Sequence, residues 1–407
     1  MRKSALQRTA NAQGGPSKPD DLRIAMIGVG LRGNLLEVAH QPGRGSVVVA
    51  ICDLDEPLMN ARVSQIEPRP WTTTNWLDVL RADDVDAVIV ATPDFTHEEL
   101  VIASLEAGKA TFAEKPLAIS TEGCDRILDV AAGVAERGVR LYVGHNLRHY
   151  AVIQKMKELI DEGAIGEVKA IWCRHFVGHG GDFYFKDWHA QRRHVTSLLL
   201  QKGAHDIDAI HWLAGGVSRV VHGFGHLGVY GGVTDRHGGV KHENWFDQDA
   251  GWPPHAQTGL HPDIDVEDLS MIQMQLSNGV LASYQECHYT PDYWRNYTVI
   301  GTEGRLENFG DVAGVIRLWD QRSGYKARGD RSFRFRAGGG GHGGADHKLM
   351  AEFVRFARYG GPTDTSPVGA REAVAAGCAG AESWRAGGIP VAVPPPNADV
   401  VRALTGR

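Results

Sequence analysis

From Leu22 onward, short apolar runs alternate with helix-length amphipathic stretches; the runs are LRIAMIG, SVVVAICD, DAVIVATP, KATFAEKP and VRLYVGHN. Near-continuous apolar runs mark strands covered on both faces, and helical stretches between them make parallel crossovers. The pattern predicts five buried strands in a doubly wound α/β domain over residues 21–147. Thr96 and Glu99 are spaced as a capping box for the helix after DAVIVATP. Further on the texture changes to a helical stretch VIQKMKELIDEG, a strand EVKAIWCRHF, a helix over 198–213, and alternating runs such as MIQMQLSNGVLASYQECHY. Period-two alternation describes strands with one polar face, so residues 148–407 are expected to form an α+β domain with an open, mainly antiparallel sheet. Segments 223–262 and 337–344 carry neither period and read as loops.

At 407 residues the chain has room for two domains of this kind. Lys plus Arg (43) against Asp plus Glu (49) gives a net charge of −6, so there is no electrostatic footprint for nucleic acid or an anionic membrane. A small-molecule partner is the expectation. The five cysteines form no CxxC motif and suit reduced thiols, which points to a cytoplasmic setting. Residues 1–20 lack the apolar stretch of a secretory signal and read as a disordered tail, and no run is long enough to span a membrane.

Candidate chemistry begins at Gly28-Val29-Gly30-Leu31-Arg32-Gly33, which follows the first strand and precedes a second one ending in Asp53, 25 residues after Gly28. In that context Gly28 permits the tight turn, Gly30 the close approach of a pyrophosphate, and Gly33 helix packing, while a helix N-terminus offers N–H groups to phosphate. Asp53 should accept hydrogen bonds from a ribose and repel a 2′-phosphate, favouring NAD over NADP. Along the predicted helix 198–213, Gln201, His205, Asp208 and Trp212 fall on one face. A polar stripe on an otherwise apolar helix costs stability in a plain core and suits a wet cleft, with Lys202 able to share the face. His175, His179, His189 and His194 lack the spacing of a zinc motif, and no metal is expected. Lys186, Asp187, Trp188 and Arg192 or Arg193 are candidates for one wall of a polyol site, where aromatic faces and hydrogen-bonding groups are needed. His342 could reach the cleft from its glycine-rich loop.

With Glu114-Lys115-Pro116 at the end of the fourth strand, the chain resembles the glucose-fructose oxidoreductase, inositol dehydrogenase and rhizopine-catabolism (Gfo/Idh/MocA) family. The resemblance covers about residues 22–390. It rests on the glycine motif, Thr92-Pro93 followed by His97, Glu114-Lys115-Pro116, Gly144-His145-Asn146-Leu147-Arg148, Gly203-Ala204-His205-Asp206-Ile207-Asp208 and Gly301-Thr302-Glu303-Gly304. It implies a Rossmann domain followed by an α+β domain used in oligomerisation as a dimer or tetramer. It implies hydride transfer between NAD and a sugar, glycoside or cyclitol, with Lys115 beside the nicotinamide on a Lys115-Pro116 bond that is often cis, and His205 facing it. It also places Thr92, Pro93, His97 and Glu114 at the cofactor, and Asn146 and Arg148 at the cleft border. One departure stands out: relatives resembling inositol dehydrogenase carry Asp where this chain has Gln201. Gln cannot ionise, so the base is expected to be His205, Lys115 or both. Two alternatives remain open at this point: an NAD-dependent glycoside hydrolase with internal redox cycling, and a non-catalytic NAD-dependent regulator.

Overall fold

The computed structural model describes residues 17–238 and 251–406. The tail expected over 1–20 therefore lies mostly outside the described residues, as does the middle of the 223–262 segment. In the N-terminal part, β1 (Leu22–Ile27), β2 (Ser46–Cys52), β3 (Trp71–Thr73), β4 (Ala87–Val90), β5 (Ala110–Ala113) and β6 (Leu141–Val143) form a parallel sheet in the order β3-β2-β1-β4-β5-β6. Every residue of β4 and β5 is buried, as expected of strands covered by helices on both faces. The sixth strand, β3, escapes the sequence pattern because it is three residues at the sheet edge, Trp71 and Thr73 half-buried and Thr72 exposed.

Local chemistry fixes the crossovers. Ser120 accepts from Gly123 N at 3.0 Å and starts the helix Thr121–Ala135, which buries Cys124, Ile127, Leu128, Ala131 and Val134 along one stripe. The expected capping box does not form. Thr96 has helical dihedrals at the end of a 3-10 turn, Asp94–Thr96, and its hydroxyl donates to Pro93 O at 2.7 Å. The turn takes up the role a cap would have, and the helix His97–Glu106 begins directly from it.

The second sheet has nine strands: β7 (Val168–Phe176), β8 (Ser218–His226), β9 (Leu269–Leu276), β10 (Leu281–Cys287), β11 (Trp294–Gly301), β12 (Arg305–Phe309), β13 (Gly314–Trp319), β14 (Arg331–Phe335) and β15 (Val391–Ala392). Their order is β14-β13-β12-β11-β7-β10-β9-β8-β15, antiparallel except for β7 against β10. The turn at Ser277-Asn278-Gly279 joins β9 to β10, with Gly279 at φ +83°. β8 runs to His226, so the irregular segment begins later than residue 223. The inner face carries Ile171, Ile272, Met274 and Val299 and is covered by the helices Ala204–Ala214 and Pro367–Arg385. The outer face leaves Trp172, Phe224, Met271 and Leu281 in solvent.

The C-terminal helices belong to both cores. Helix Ala345–Tyr359 sends Leu349, Met350 and Phe353 into the first sheet's core, where Phe353 meets Phe112 edge-on at 5.4 Å. Helix Pro367–Arg385 places Ala370 and Val374 against the first sheet and Ala373 and Ala376 against the second. These two helices thus tie the two sheets together.

Candidate active site

The glycine motif sits at the carboxyl end of β1. Gly28 has φ +88°, and a Cβ there would lie 2.7 Å from Ala91 O, so only glycine fits against the neighbouring strand end. A Cβ on Gly30 would meet nothing within 4 Å, which leaves open space over the loop, while one on Gly33 would press on the Arg62 guanidinium at 3.1 Å. The segment that follows is a 3-10 turn, Leu31–Asn34, leading into the five-residue helix Leu35–Ala39, in place of the longer helix expected. Asp53, the residue expected to accept from a ribose, here accepts from Val29 N at 2.7 Å and from Asp55 N at 2.9 Å, which holds the carboxylate against the glycine loop. Arg62 also reaches this loop, with Nη2 3.4 Å from Gly30 O, a cation that adjacency in sequence does not reveal. Open space above Gly30, a carboxylate at the end of β2 and a glycine-only turn together fit a dinucleotide.

Arg32 and Leu31 diverge. Leu31 is 54% exposed on the loop, whereas Arg32 turns inward, its Nε 2.7 Å from Glu114 Oε1 and its Nη2 3.1 Å from Asp346 Oδ1. His342 does reach this group: its Nδ1 lies 2.8 Å from Asp346 Oδ2 and 3.3 Å from Arg32 Nη1. Asn146 Nδ2 approaches the same carboxylate at 3.4 Å. Against the upward push of burial, the hydrogen bond with His342 and the charge and hydrogen bonds of Arg32 hold Asp346 well below the usual carboxylate range.

At the ends of β4 and β5 the two loops are tied by His97. Its Nδ1 lies 2.7 Å from Pro116 O and its Nε2 3.0 Å from Thr92 O, and burial pushes its pKa down. His97 therefore fixes the relative position of Thr92-Pro93 and the Lys115-Pro116 turn, whose peptide bond is cis. Lys115 Nζ crosses to donate to Gln201 O at 2.8 Å. That bond exists because the expected helix over 198–213 is broken: Leu198–Gln201 ends at Lys202 and Gly203, and Ala204–Ala214 begins anew. A terminal carbonyl is left for the ammonium.

His205 lies in the first turn of the second of these helices. Burial, reinforced by Lys115 and His145, drives its pKa well below the imidazole range, so it is neutral, with Nδ1 buried and unpartnered. The His145 ring is 6.1 Å away. Lys202 packs over the Tyr184 ring at 5.9 Å.

Other predicted wall residues are engaged elsewhere. Arg148 directs Nε and Nη2 to Asp208 at 2.7 Å, sends Nη1 to Asp364 O at 2.6 Å, and stacks over Trp212 at 5.4 Å. The polar stripe of Asp208 and Trp212 is thus its partner set. Lys186 Nζ lies 3.8 Å from Asp182, Arg192 binds Glu267 at 2.8 Å and Arg193 binds Gln191 at 2.9 Å. Trp188 stacks on His189 at 3.7 Å and meets Phe95, from the β4 loop, edge-on at 6.1 Å, so this aromatic does bridge the two sides.

Several residues here were not singled out from the sequence. Asp94, directly after Thr92-Pro93, is 4% exposed with Oδ2 unpartnered. Burial and Glu114 push it up to about 7, against the pull of Lys115 and the Gln201 amide. Behind the helix, Asp206 accepts from His175 at 2.8 Å, Tyr284 at 3.0 Å and Tyr297, and lies 3.0 Å from Arg295 Nε. These groups keep it ionised despite full burial. His175 pairs in register with Glu286 on β10 and with Arg295 on β11, forming a polar row on the inner sheet face. Charged residues at inward positions of otherwise alternating strands were the available signal.

The profile described as "Oxidoreductase family, NAD-binding Rossmann fold" matches residues 22–145, and the GFO/IDH/MocA C-terminal domain matches 153–307. The chain belongs to the Gfo/Idh/MocA oxidoreductase family. It is 33% identical to inositol 2-dehydrogenase of Klebsiella pneumoniae (strain 342) over 193 residues, 47% of this chain and 54% of that protein. A Ralstonia nicotianae inositol 2-dehydrogenase is likewise 33% identical, over 48% of this chain and 55% of its own length. The match thus spans about half the length of these relatives. In fold, the chain is similar to levoglucosan dehydrogenase solved with NADH and levoglucosan, with TM-score 0.73, 21% identity, and coverage of 92% of this chain and 100% of that one. Myo-inositol 2-dehydrogenase from Lactobacillus plantarum gives 0.69 at 19% identity, covering 92% and 100%. Among the described residues no helix is long and apolar enough to cross a membrane.

Proposed function

We propose that this chain is an NAD-dependent dehydrogenase that oxidises a secondary hydroxyl of a sugar, glycoside or cyclitol, or reduces the matching ketone. The observation that carries the reading is Lys115, anchored from the carboxyl edge of the first sheet onto the helix pair that bears His205. An ammonium and a neutral imidazole on one wall of a cleft are what is needed to hold a secondary hydroxyl and steady the charge that grows on its oxygen. The glycine loop, Asp53 and the Thr92-Pro93 turn hold NAD, which when bound supplies the hydride acceptor. The curated relatives named inositol 2-dehydrogenase support a cyclitol or sugar as substrate. Absorbance of NADH followed over a panel of sugars, cyclitols and glycosides tests the reading; sugar release from glycosides without net NADH would replace it with hydrolysis.

Asp53 supports NAD over NADP, because a second negative group beside its carboxylate is repelled and Arg62 is already turned to Gly30 O. NAD is expected to bind at least about tenfold more tightly, about 1.4 kcal/mol, with Asp53→Ala narrowing the gap. Equal affinities in titration calorimetry would reverse the assignment. The exposed face carrying Trp172, Phe224, Met271 and Leu281 spreads over four neighbouring strands, β7, β10, β9 and β8, and suits burial against a second copy of the chain. Light scattering at micromolar concentration is expected to give a dimer or tetramer, and Trp172→Glu with Phe224→Glu to shift it toward monomer.

A further inference from the structure

Buried carboxylates around the second sheet draw their partners from within the chain. Asp206 accepts from His175 and two tyrosines, and Asp208 binds Arg148. Asp268 accepts from the backbone N–H groups of Gly228, Val229 and Tyr230 at 2.8–2.9 Å, and Glu372 binds Arg219 at 3.1 Å. Glu286 on β10 differs: it is 1% exposed, and neither carboxylate oxygen accepts a hydrogen bond. His288 Nε2 lies 3.4 Å from Glu286 Oε1, and both nitrogens of that equally buried ring are unpartnered too. A desolvated carboxylate with no donor is costly, and folds keep such groups chiefly where a further molecule completes them.

The pair has a definite place. Glu286 follows Tyr284 by two positions on the inner face of β10, opposite His175 of β7 and Ser270 of β9. The Tyr284 ring lies against the break between the two helices, where a Cβ on Gly203 would fall 2.8 Å from its Cε1. His288 meets the Tyr184 ring edge-on at 5.1 Å, and Tyr184 carries Lys202 Nζ over its face at 5.9 Å. Contacts from β10 therefore converge on the same break at which Lys115 is fastened to Gln201 O. Gln201 Oε1 and His205 Nδ1, at that break, are buried and unpartnered as well.

We propose that Glu286, with His288 beside it, is the specificity-determining group of this site, its two carboxylate oxygens accepting from two adjacent hydroxyls of the substrate. A carboxylate offers acceptors alone, side by side, so its complement is a pair of neighbouring donors. An ammonium-bearing ligand is disfavoured because Lys115 and Lys202 both lie within the field of Glu286, and a neutral diol adds no third cation. The imidazole, with one donor and one acceptor when neutral, serves a further hydroxyl. The inference deepens the dehydrogenase reading by adding a requirement for a free vicinal diol, and it rests on that reading only for the reacting carbon.

Calorimetric titration of inositols, pyranosides and linear polyols into the NADH complex tests this without turnover. Glu286→Gln keeps the shape and removes the charge; it is expected to weaken the bound polyols by about 10- to 100-fold, with NADH affinity unchanged. Its Tm should hold or rise, since no partner within the fold loses a charge, and a fall of more than about 5 °C would mark the carboxylate as structural and overturn the inference. Deoxy analogues of the bound polyol separate recognition from packing. Wild type should lose affinity on removal of either of two adjacent hydroxyls, and Glu286→Gln should lose little further at those two positions. Uniform losses in both proteins, affinities within threefold in Glu286→Gln, or no polyol bound at millimolar concentration each overturn it. So does tighter binding of an aminodeoxy analogue than of its parent. NADH formation is scored apart: a polyol oxidised equally well by Glu286→Gln leaves the dehydrogenase reading standing and removes this one. A polyol held through Glu286 that reduces no NAD does the reverse.

Discussion

Lys115→Ala is expected to lower kcat by about 10²- to 10³-fold with NAD affinity little changed, the scale for loss of one fixed donor aimed at developing negative charge. The expectation follows from where the side chain is held. Its ammonium is fastened to Gln201 O at 2.8 Å, inside a shell containing Asp94 and Glu114, so its charge is positioned before any substrate arrives. His205→Ala should fall in a similar range, because a neutral imidazole beside that ammonium serves the same oxygen. Groups acting on one oxygen are non-additive, so the double variant should be much less impaired than the product of the two losses. Gln201→Ala should move KM or substrate choice more than the pH profile. Steady-state kinetics with calorimetric NAD binding check all four variants, and near-wild-type turnover in both single lysine and histidine variants would remove them from the chemistry.

Legibility in the sequence followed the reach of each signal. The parallel strands were readable because burial on both faces writes an unbroken apolar run such as DAVIVATP, while three edge residues at Trp71 to Thr73, none of them fully buried, write nothing distinctive. Gly28 was readable because backbone conformation and close approach exclude every other residue there. Partners brought together from far along the chain were not. Nothing near Arg32 announces Asp346, 314 residues away, nor does the sequence around Thr96 show that its hydroxyl turns back to Pro93. The break at Lys202 and Gly203 was hidden for a related reason: the apolar spacing continues through it, so periodicity reports one helix where the backbone makes two. That break is what frees a carbonyl for Lys115, and it leaves Lys202 at the junction, over the Tyr184 ring.

Arg148 separates a cleft role from a structural one by experiment. Its guanidinium spans Asp208, the Asp364 carbonyl and the Trp212 ring, and Asp208 is 2% exposed. Removing one partner of a buried pair leaves the other charge unsolvated, so Arg148→Met is expected to cost about 3–5 kcal/mol in denaturant unfolding. His145 Nδ1, 3.0 Å from Asp208 Oδ2, is the remaining group that can relieve it. The pH dependence has a definite sign. Arg148 and His145 hold Asp208 well below the carboxylate range, so the pair's contribution is fully present above the unfolded value of about 3.9 and fades as pH falls through the folded one. Without Arg148 the carboxyl rises toward neutrality, and the gap between variant and wild type should therefore narrow in acid. Arg148→Met combined with Asp208→Leu removes both charges together and should recover much of the loss, since replacing a whole buried pair is far cheaper than breaking it. A change in KM at unaltered stability would instead place Arg148 on the substrate, and would require the Asp208 bonds to open when substrate enters.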